Sequence, residues 1–212
     1  MTLKGFRRMS TAKLQIRERL DGALRREQIL EMATSIISQR GYNGFAIQEL
    51  ARQCGITNAR LLYYFGTKER LLIALLEDRD RRDAAAVCSI AGLTGQETPA
   101  ELSLDELLKV LRAIVERNSI QPELVRLFAV LRAEALSQAH PARQYFADRE
   151  AATLDKFARL VAPHVAEPIS TARQLLAFMS GLEEQWLRAA HGFDLVAEWD
   201  RGVSRLLPRG LS

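Results

Sequence analysis

Arg40 to Leu72 reads RGYNGFAIQELARQCGITNARLLYYFGTKERLL, and the fold turns on how this stretch is punctuated. Gly41 stops a helical run that carries Ile29, Met32, Ala33 and Ile36 on one stripe from about Leu24 onward. Ile47, Leu50, Ala51 and Cys54 then repeat at helical spacing for two turns before Gly55, whose missing Cβ permits a left-handed or sharply turned backbone. Thr57 follows as an N-cap, since its hydroxyl accepts from the free N–H groups of the next turn. A third short helix is predicted from Thr57 to about Tyr64, then Phe65, Gly66 and a second N-cap at Thr67. Two short helices joined by a Gly-containing turn are a helix-turn-helix.

Downstream of the turn a fourth, long helix is predicted, with Leu71, Leu72, Leu75 and Leu76 on its apolar face and the charged stretch Glu77 to Asp83 turned toward solvent. Gly92, Gly95 and Pro99, with Thr94, Thr98 and Ser103, make the clear composition break, and the domain boundary is expected near it with the fourth helix belonging partly to both sides. Four more helical patterns follow: Leu104 to Leu111, Leu124 to Leu131, Ala142 to Leu160, and Leu175 to Trp186. Pro122, Pro141, Pro163 and Pro168 stand near their ends, where a missing N–H costs least. A last helix after an Asp194 cap carries Val196, Trp199, Val203 and Leu206 before Pro208. The expected fold class is all-α: a basic arm over residues 1–21, a three-helix head with its connecting helix over 22–86, and a helical body over 87–212. The arm suits a solvated tail first, and then a segment that follows a phosphate backbone or enters a minor groove; Met9 as well as Met1 fits the start of the chain.

Charge divides the chain as the pattern does. Residues 1–86 hold 16 Lys and Arg against 10 Asp and Glu, and residues 87–212 hold 14 against 16. A basic segment joined to a near-neutral body suits a protein that meets a polyanion at one end. Hydrophobic residues make up 48% and charged residues 26%, values of an ordinary soluble globular protein. No apolar run approaches the roughly 20 residues that span a bilayer, and the basic N-terminus lacks a signal-peptide centre, so a cytoplasmic protein is expected. Cys54 and Cys88 in helical context are read as small hydrophobes rather than a disulfide. His140, His164 and His191 are isolated, no metal-binding spacing or glycine-rich phosphate loop occurs, and Glu183-Glu184 reads as a helix face. Catalysis, a metal and a cofactor are therefore not expected.

Over residues 25 to 76 the sequence resembles the TetR family of bacterial transcriptional regulators. The resemblance lies in Gly41-Tyr42 after the first helix, Leu50-Ala51 in the second, Gly55-Ile56-Thr57 at the turn, Tyr64-Phe65 closing the third, and Thr67-Lys68-Glu69 with Leu71 and Leu72 opening the fourth. It implies a homodimer on a palindromic double-stranded operator, a repressor released by a small-molecule effector. The DNA-binding residues it implies are Gln48, Thr57, Asn58, Ala59, Arg60, Tyr63, Tyr64 and Lys68. Asn58 and Arg60 are the base readers, since Asn pairs with adenine and Arg with guanine across a major groove that admits one helix; Lys68 meets phosphate at a helix N-terminus. Tyr63 and Tyr64 fit backbone or thymine-methyl contacts, or the core of the head. Ala46 departs from the pattern where a Thr commonly caps the second helix, Ala59 replaces a frequent Gly, and Leu62 a frequent Tyr.

In the body the resemblance is one of layout. Leu111, Phe128, Arg132, Phe146, Phe178 and Met179 lie on inward stripes and are the effector-binding candidates. Gly181, Leu182, Trp186, Trp199 and Val203, on the last two helices, are the dimer candidates, Trp being enriched at such interfaces; each Trp also suits intramolecular core. A helical adaptor that has lost DNA binding is the alternative suggested by Ala46 and Leu62.

Overall fold

The computed structural model describes the backbone of residues 3–91 and 102–207, which form helices α1 (Leu3–Arg40), α2 (Ile47–Gln53), α3 (Asn58–Phe65), α4 (Lys68–Ala91), α5 (Leu104–Ser119), α6 (Pro122–Glu134), α7 (Arg143–Val161), α8 (Pro168–Arg188) and α9 (Leu195–Leu206). Among the described residues there is no strand, and no helix is long and apolar enough to cross a membrane. The break at Gly92, Thr94, Gly95, Thr98 and Pro99 lies outside the described residues, as does Pro208.

Residues pack into two compact units, Met1–Leu75 and Leu76–Ser212. The division falls within α4, the helix expected to belong partly to both sides, and earlier than the boundary after residue 86. A second difference is at the start: the backbone is helical from Leu3, where an arm over residues 1–21 was expected. Leu, Lys, Arg, Gln and Glu are good helix formers, and no Pro interrupts the chain before Gly41.

In the head, Ile29, Leu30, Ala33, Ile36 and Ile37 of α1 are buried together with Leu50 and Ala51 of α2, Leu61 and Phe65 of α3, and Leu71, Leu72 and Leu75 of α4. At about 1.5–3 kcal/mol for each large aliphatic side chain removed from water, this small core is enough to hold α2 and α3, two short elements that would not be helical alone. Gly55 sits at φ 65°, so the turn between α2 and α3 takes the left-handed conformation the sequence predicted. The Thr57 hydroxyl accepts from Arg60 N–H at 3.1 Å and starts α3, and the Thr67 hydroxyl accepts from Arg70 N–H at 3.2 Å at the start of α4.

The body gathers α5, α7, α8 and α9 around one apolar core that includes Leu107, Leu111, Phe157, Val161, Leu175, Trp186 and Trp199. Ser103 and Glu106 make a capping box at the start of α5. Asp194 caps α9 by accepting from Val196 and Ala197 N–H, each at 3.0 Å. Pro122 and Pro168 each occupy the first turn of their helices, as their positions in the sequence required.

Three of the five dimer candidates belong to this core. Trp199 is fully buried, with its indole stacked on Phe178 at 5.4 Å between ring centroids, and Trp186 and Val203 are buried beside it. The reason is the narrow apolar stripe of α9, which Leu195, Trp199 and Val203 spend entirely on their own chain. Leu182 is half-buried against the same core, and Gly181 is half-buried with nothing within 4 Å of where a Cβ would stand.

Candidate nucleic-acid interface and body cavity

The first turn of α3 is presented to solvent. Thr57, Asn58, Ala59 and Arg60 are all exposed, as is Gln48 on α2, while Leu61 and Phe65 on the other side of α3 are buried. Tyr63 is 77% exposed, and Leu62 beside it is 39% exposed. A row of donors, a short aliphatic group and an aromatic ring on an exposed, capped helix N-terminus has the shape and chemistry that a major groove accepts.

Arg60 is held in place by its neighbours. Its guanidinium carbon lies 5.3 Å from the centroids of both the Tyr63 and Tyr64 rings, and Nη2 donates to the Tyr64 hydroxyl at 3.4 Å. Such contacts limit the rotamers of a long side chain while leaving its remaining N–H groups free to bond. Tyr64 is half-buried and serves as this support, whereas Tyr63 faces water.

Lys68, at the first position of α4, is half-buried with Nζ 4.2 Å from the Tyr42 ring centroid and 5.3 Å from that of Phe45. Tyr42 donates its hydroxyl to Glu69 Oε1 at 2.9 Å. Burial and the Glu69 carboxylate push the Tyr42 phenol well above its ordinary range. The Glu69 carboxyl is held low, by its own backbone N–H first and then by Thr67 and Tyr42. The Gly-aromatic pair after α1 therefore anchors the start of α4, which gives Gly41-Tyr42 a physical reason. Ala46 at the N-cap of α2 makes no side-chain capping bond, and Arg40 pairs with Glu49 at 2.7 Å across that turn.

The body contains a cavity of about 850 Å³ walled by α4, α5, α6, α7 and α8. Phe128, Arg132 and Met179 line it, as the inward stripes predicted. Leu111, Phe146 and Phe178 do not. Leu111 is fully buried in the apolar core, Phe178 is spent on Trp199, and Phe146 stands behind the wall, edge-on to Phe128 at 5.7 Å and to Tyr145 at 5.3 Å.

Sequence reasoning missed the polar wall. Arg79, Asp80 and Asp83, within the stretch expected to face solvent, line the cavity with Arg117, Asn118, Tyr145, Arg149, Glu183 and Glu184. Asp83 Oδ1 accepts from Arg117 Nε at 2.9 Å, and its Oδ2 lies 2.8 Å from Arg79 Nε. Asp80 accepts from Arg149 Nε at 2.9 Å and from the Tyr145 hydroxyl. Asn118 donates to Glu183 Oε1 at 2.6 Å, and Arg132 donates to Ser180 at 2.7 Å and to Glu184 at 3.0 Å. Burial raises the pKa of the Glu183 carboxyl against the pull of Asn118 and the nearby arginines, and burial lowers that of the Arg79 guanidinium. The signal was in the spacing, because the stripe through Leu72, Leu75 and Leu76 continues by turns of three and four to Arg79, Asp80 and Asp83. Among the described residues no group of three or more His, Cys, Asp or Glu side chains is arranged to hold a metal ion.

Residues 29–75 match the family model described as bacterial regulatory proteins, tetR family. The HTH-type transcriptional regulator BetI of Rhizobium meliloti is 29% identical over 115 residues, 53% of this chain and 52% of the relative. The chain spans about half, or less, of the length of the curated relatives it matches first. Among solved structures, the transcriptional regulator FadR from Bacillus subtilis in complex with stearoyl-CoA is similar with a TM-score of 0.70 at 16% identity, over 86% of this chain and 97% of that one. AibR in complex with isovaleryl coenzyme A and operator DNA is similar with a TM-score of 0.66 at 22% identity, over 87% and 98%. Residues 29–75 thus carry the helix-turn-helix of the tetR family model, and the described residues have the all-helical fold of these solved regulators.

Proposed function

We propose that the chain is a DNA-binding transcriptional repressor that works as a homodimer on a palindromic operator and is released by a small molecule held in the body cavity. The observation that carries this reading is the first turn of α3, where a Thr57 cap exposes Asn58, Ala59 and Arg60 within a match to a family of regulators. Asn58 and Arg60 read base edges, Tyr63 meets the backbone or a thymine methyl, Gln48 and Thr57 meet phosphates, and Lys68 adds a cation at the N-terminus of α4. Tyr64 holds Arg60 in the reading position. Operator DNA in the AibR complex supports this use of the fold.

The cavity supports the effector half. Its volume is within the range of about 300–1,000 Å³ that small-molecule sites occupy, and the stearoyl-CoA and isovaleryl coenzyme A complexes belong to proteins of the same fold. With Trp186, Trp199 and Val203 committed to the core, the dimer contact falls to the exposed face of α8, where Ser170, Gln174, Ala177 and Gln185 flank Gly181. A cytoplasmic location and the absence of catalysis go with this reading.

Fluorescence anisotropy against duplexes tiling the upstream region of the gene, with nonspecific competitor, tests it. Sequence-selective binding is expected, and Arg60→Ala should lose about 1–3 kcal/mol of it, roughly fivefold to 150-fold. Uniform, salt-sensitive binding that Arg60→Ala leaves unchanged would overturn the base-reading assignment. Unchanged affinity for DNA at effector saturation would overturn release.

A further inference from the structure

The charged groups on the cavity wall are engaged with one another across helices. Asp80 and Asp83 both stand on α4, three residues apart, and their guanidinium partners Arg149 and Arg117 come from α7 and α5. Arg149 lies 4.8 Å from the centroid of the Phe128 ring, so its face rests on an aromatic surface while its edge carries the carboxylate. Elsewhere the cavity is lined by apolar side chains, Val110, Leu160 and Met179 among them, which are continuous with the core of the body. One part of the cavity thus presents arginines already committed to carboxylate recognition, and another presents a surface for hydrocarbon.

We propose that the cavity takes an amphiphilic carboxylate, a molecule with an apolar body and one carboxylate head that replaces Asp80 on Arg149 and Asp83 on Arg117. This names the effector class for the cavity and rests on the reading of the body as an effector site. A carboxylate head reproduces the charge-assisted bonds that Asp80 and Asp83 make. An ammonium would have to replace a guanidinium on one of the wall carboxylates and lacks its planar fork of donors, and an alcohol offers no charge to compensate either guanidinium on exchange. The displaced aspartates have somewhere to go: the Asp80 side chain is 33% exposed, and Asp83 keeps Arg79 at 2.8 Å. Binding then removes two ties of α4, to α7 and to α5, in one event.

Calorimetric titration of the full chain with sodium laurate, dodecanol, dodecylammonium and lauroyl-CoA tests this. Laurate is expected to bind most tightly. Asp80→Asn, which removes the competitor, should tighten laurate about tenfold, and Arg149→Met should weaken it by about tenfold or more, the size of a charged hydrogen bond in a protected site. Dodecanol should change little in either variant. Tighter binding of any of the other three, no binding of laurate, or weaker binding of laurate to Asp80→Asn would overturn the proposal. Circular dichroism verifies the fold of each variant, and Asp83→Asn, with the same expected sign, decides if Asp80→Asn does not fold. Laurate that binds without releasing operator leaves the ligand class standing and ends the release reading. Release by dodecylammonium or lauroyl-CoA, with laurate inert, does the reverse.

Discussion

Single residues carry conflicts that the sequence does not display. Glu183 is a carboxyl pushed up by burial, so its ionisation opposes folding: the stability it supports is full below the ordinary pKa of 4.5 and is lost as pH rises through the raised value. Glu183→Gln keeps an acceptor for Asn118 without the charge. The variant should melt higher than the parent at pH 8, and the difference should vanish below about pH 4.5, as followed by thermal circular dichroism. Gly202 is a different conflict, because a Cβ there would stand 2.1 Å from the Phe178 ring. Gly202→Ala gains helix propensity of up to about 1 kcal/mol, yet it should destabilise the body on balance, since moving Phe178 breaks the stack on Trp199 and overpacking costs about 1–3 kcal/mol. A denaturant midpoint above that of the parent would contradict this. The inward stripe found Phe128, Arg132 and Met179 on the cavity but also picked Leu111, Phe146 and Phe178. Periodicity says which side of a helix is covered, not whether a neighbour or a cavity covers it.

At the scale of elements, local chemistry was legible and pairing between elements was not. Thr57 and Asp194 cap their helices as their positions required, and Gly55 takes its left-handed turn, because each depends on a few adjoining residues. α4 was misread for the opposite reason: charge usually means solvent, but Asp80 and Asp83 are satisfied by arginines on α7 and α5, and such pairs have no trace in one helix. The unfulfilled cap is Ala46, whose side chain makes no bond to α2. Ala46→Thr should stabilise the head by about 0.5–2 kcal/mol and, by restoring a hydroxyl beside the recognition helix, should strengthen operator binding. A thermal shift assay reads the first effect and anisotropy the second; a lower melting temperature would show that the Ala46 backbone, at φ −115° and ψ 132°, does not position a cap.

Across the whole molecule, the split of charge and the split of packing describe the same division with different edges. Composition draws it toward Gly92 to Pro99, with α4 shared between the sides, because Gly and Pro are conspicuous, whereas packing places it at Leu75, inside a helix that has no punctuation. Since the cavity is walled entirely by residues of the second unit, a bound effector should stabilise that unit selectively. At about a hundredfold excess over its dissociation constant, the gain is about 2.7 kcal/mol. Hydrogen exchange should therefore slow in α5 and α8 while amides of α2 and α3 keep their rates; equal slowing in both would contradict a site confined to the body. The unbroken course of α4 also limits how such a protein could be recombined. Inserting one residue between Leu75 and Asp78 would turn every following side chain by about 100° and carry it 1.5 Å along the axis, taking Arg79, Asp80 and Asp83 out of line with Leu72, Leu75 and Leu76. Seven inserted residues would leave an error of only about 20°. Insertions that keep the apolar and charged stripes of α4 on one side should therefore come only in steps that restore helical phase, so the tolerated unit of change is a whole number of turns rather than a residue.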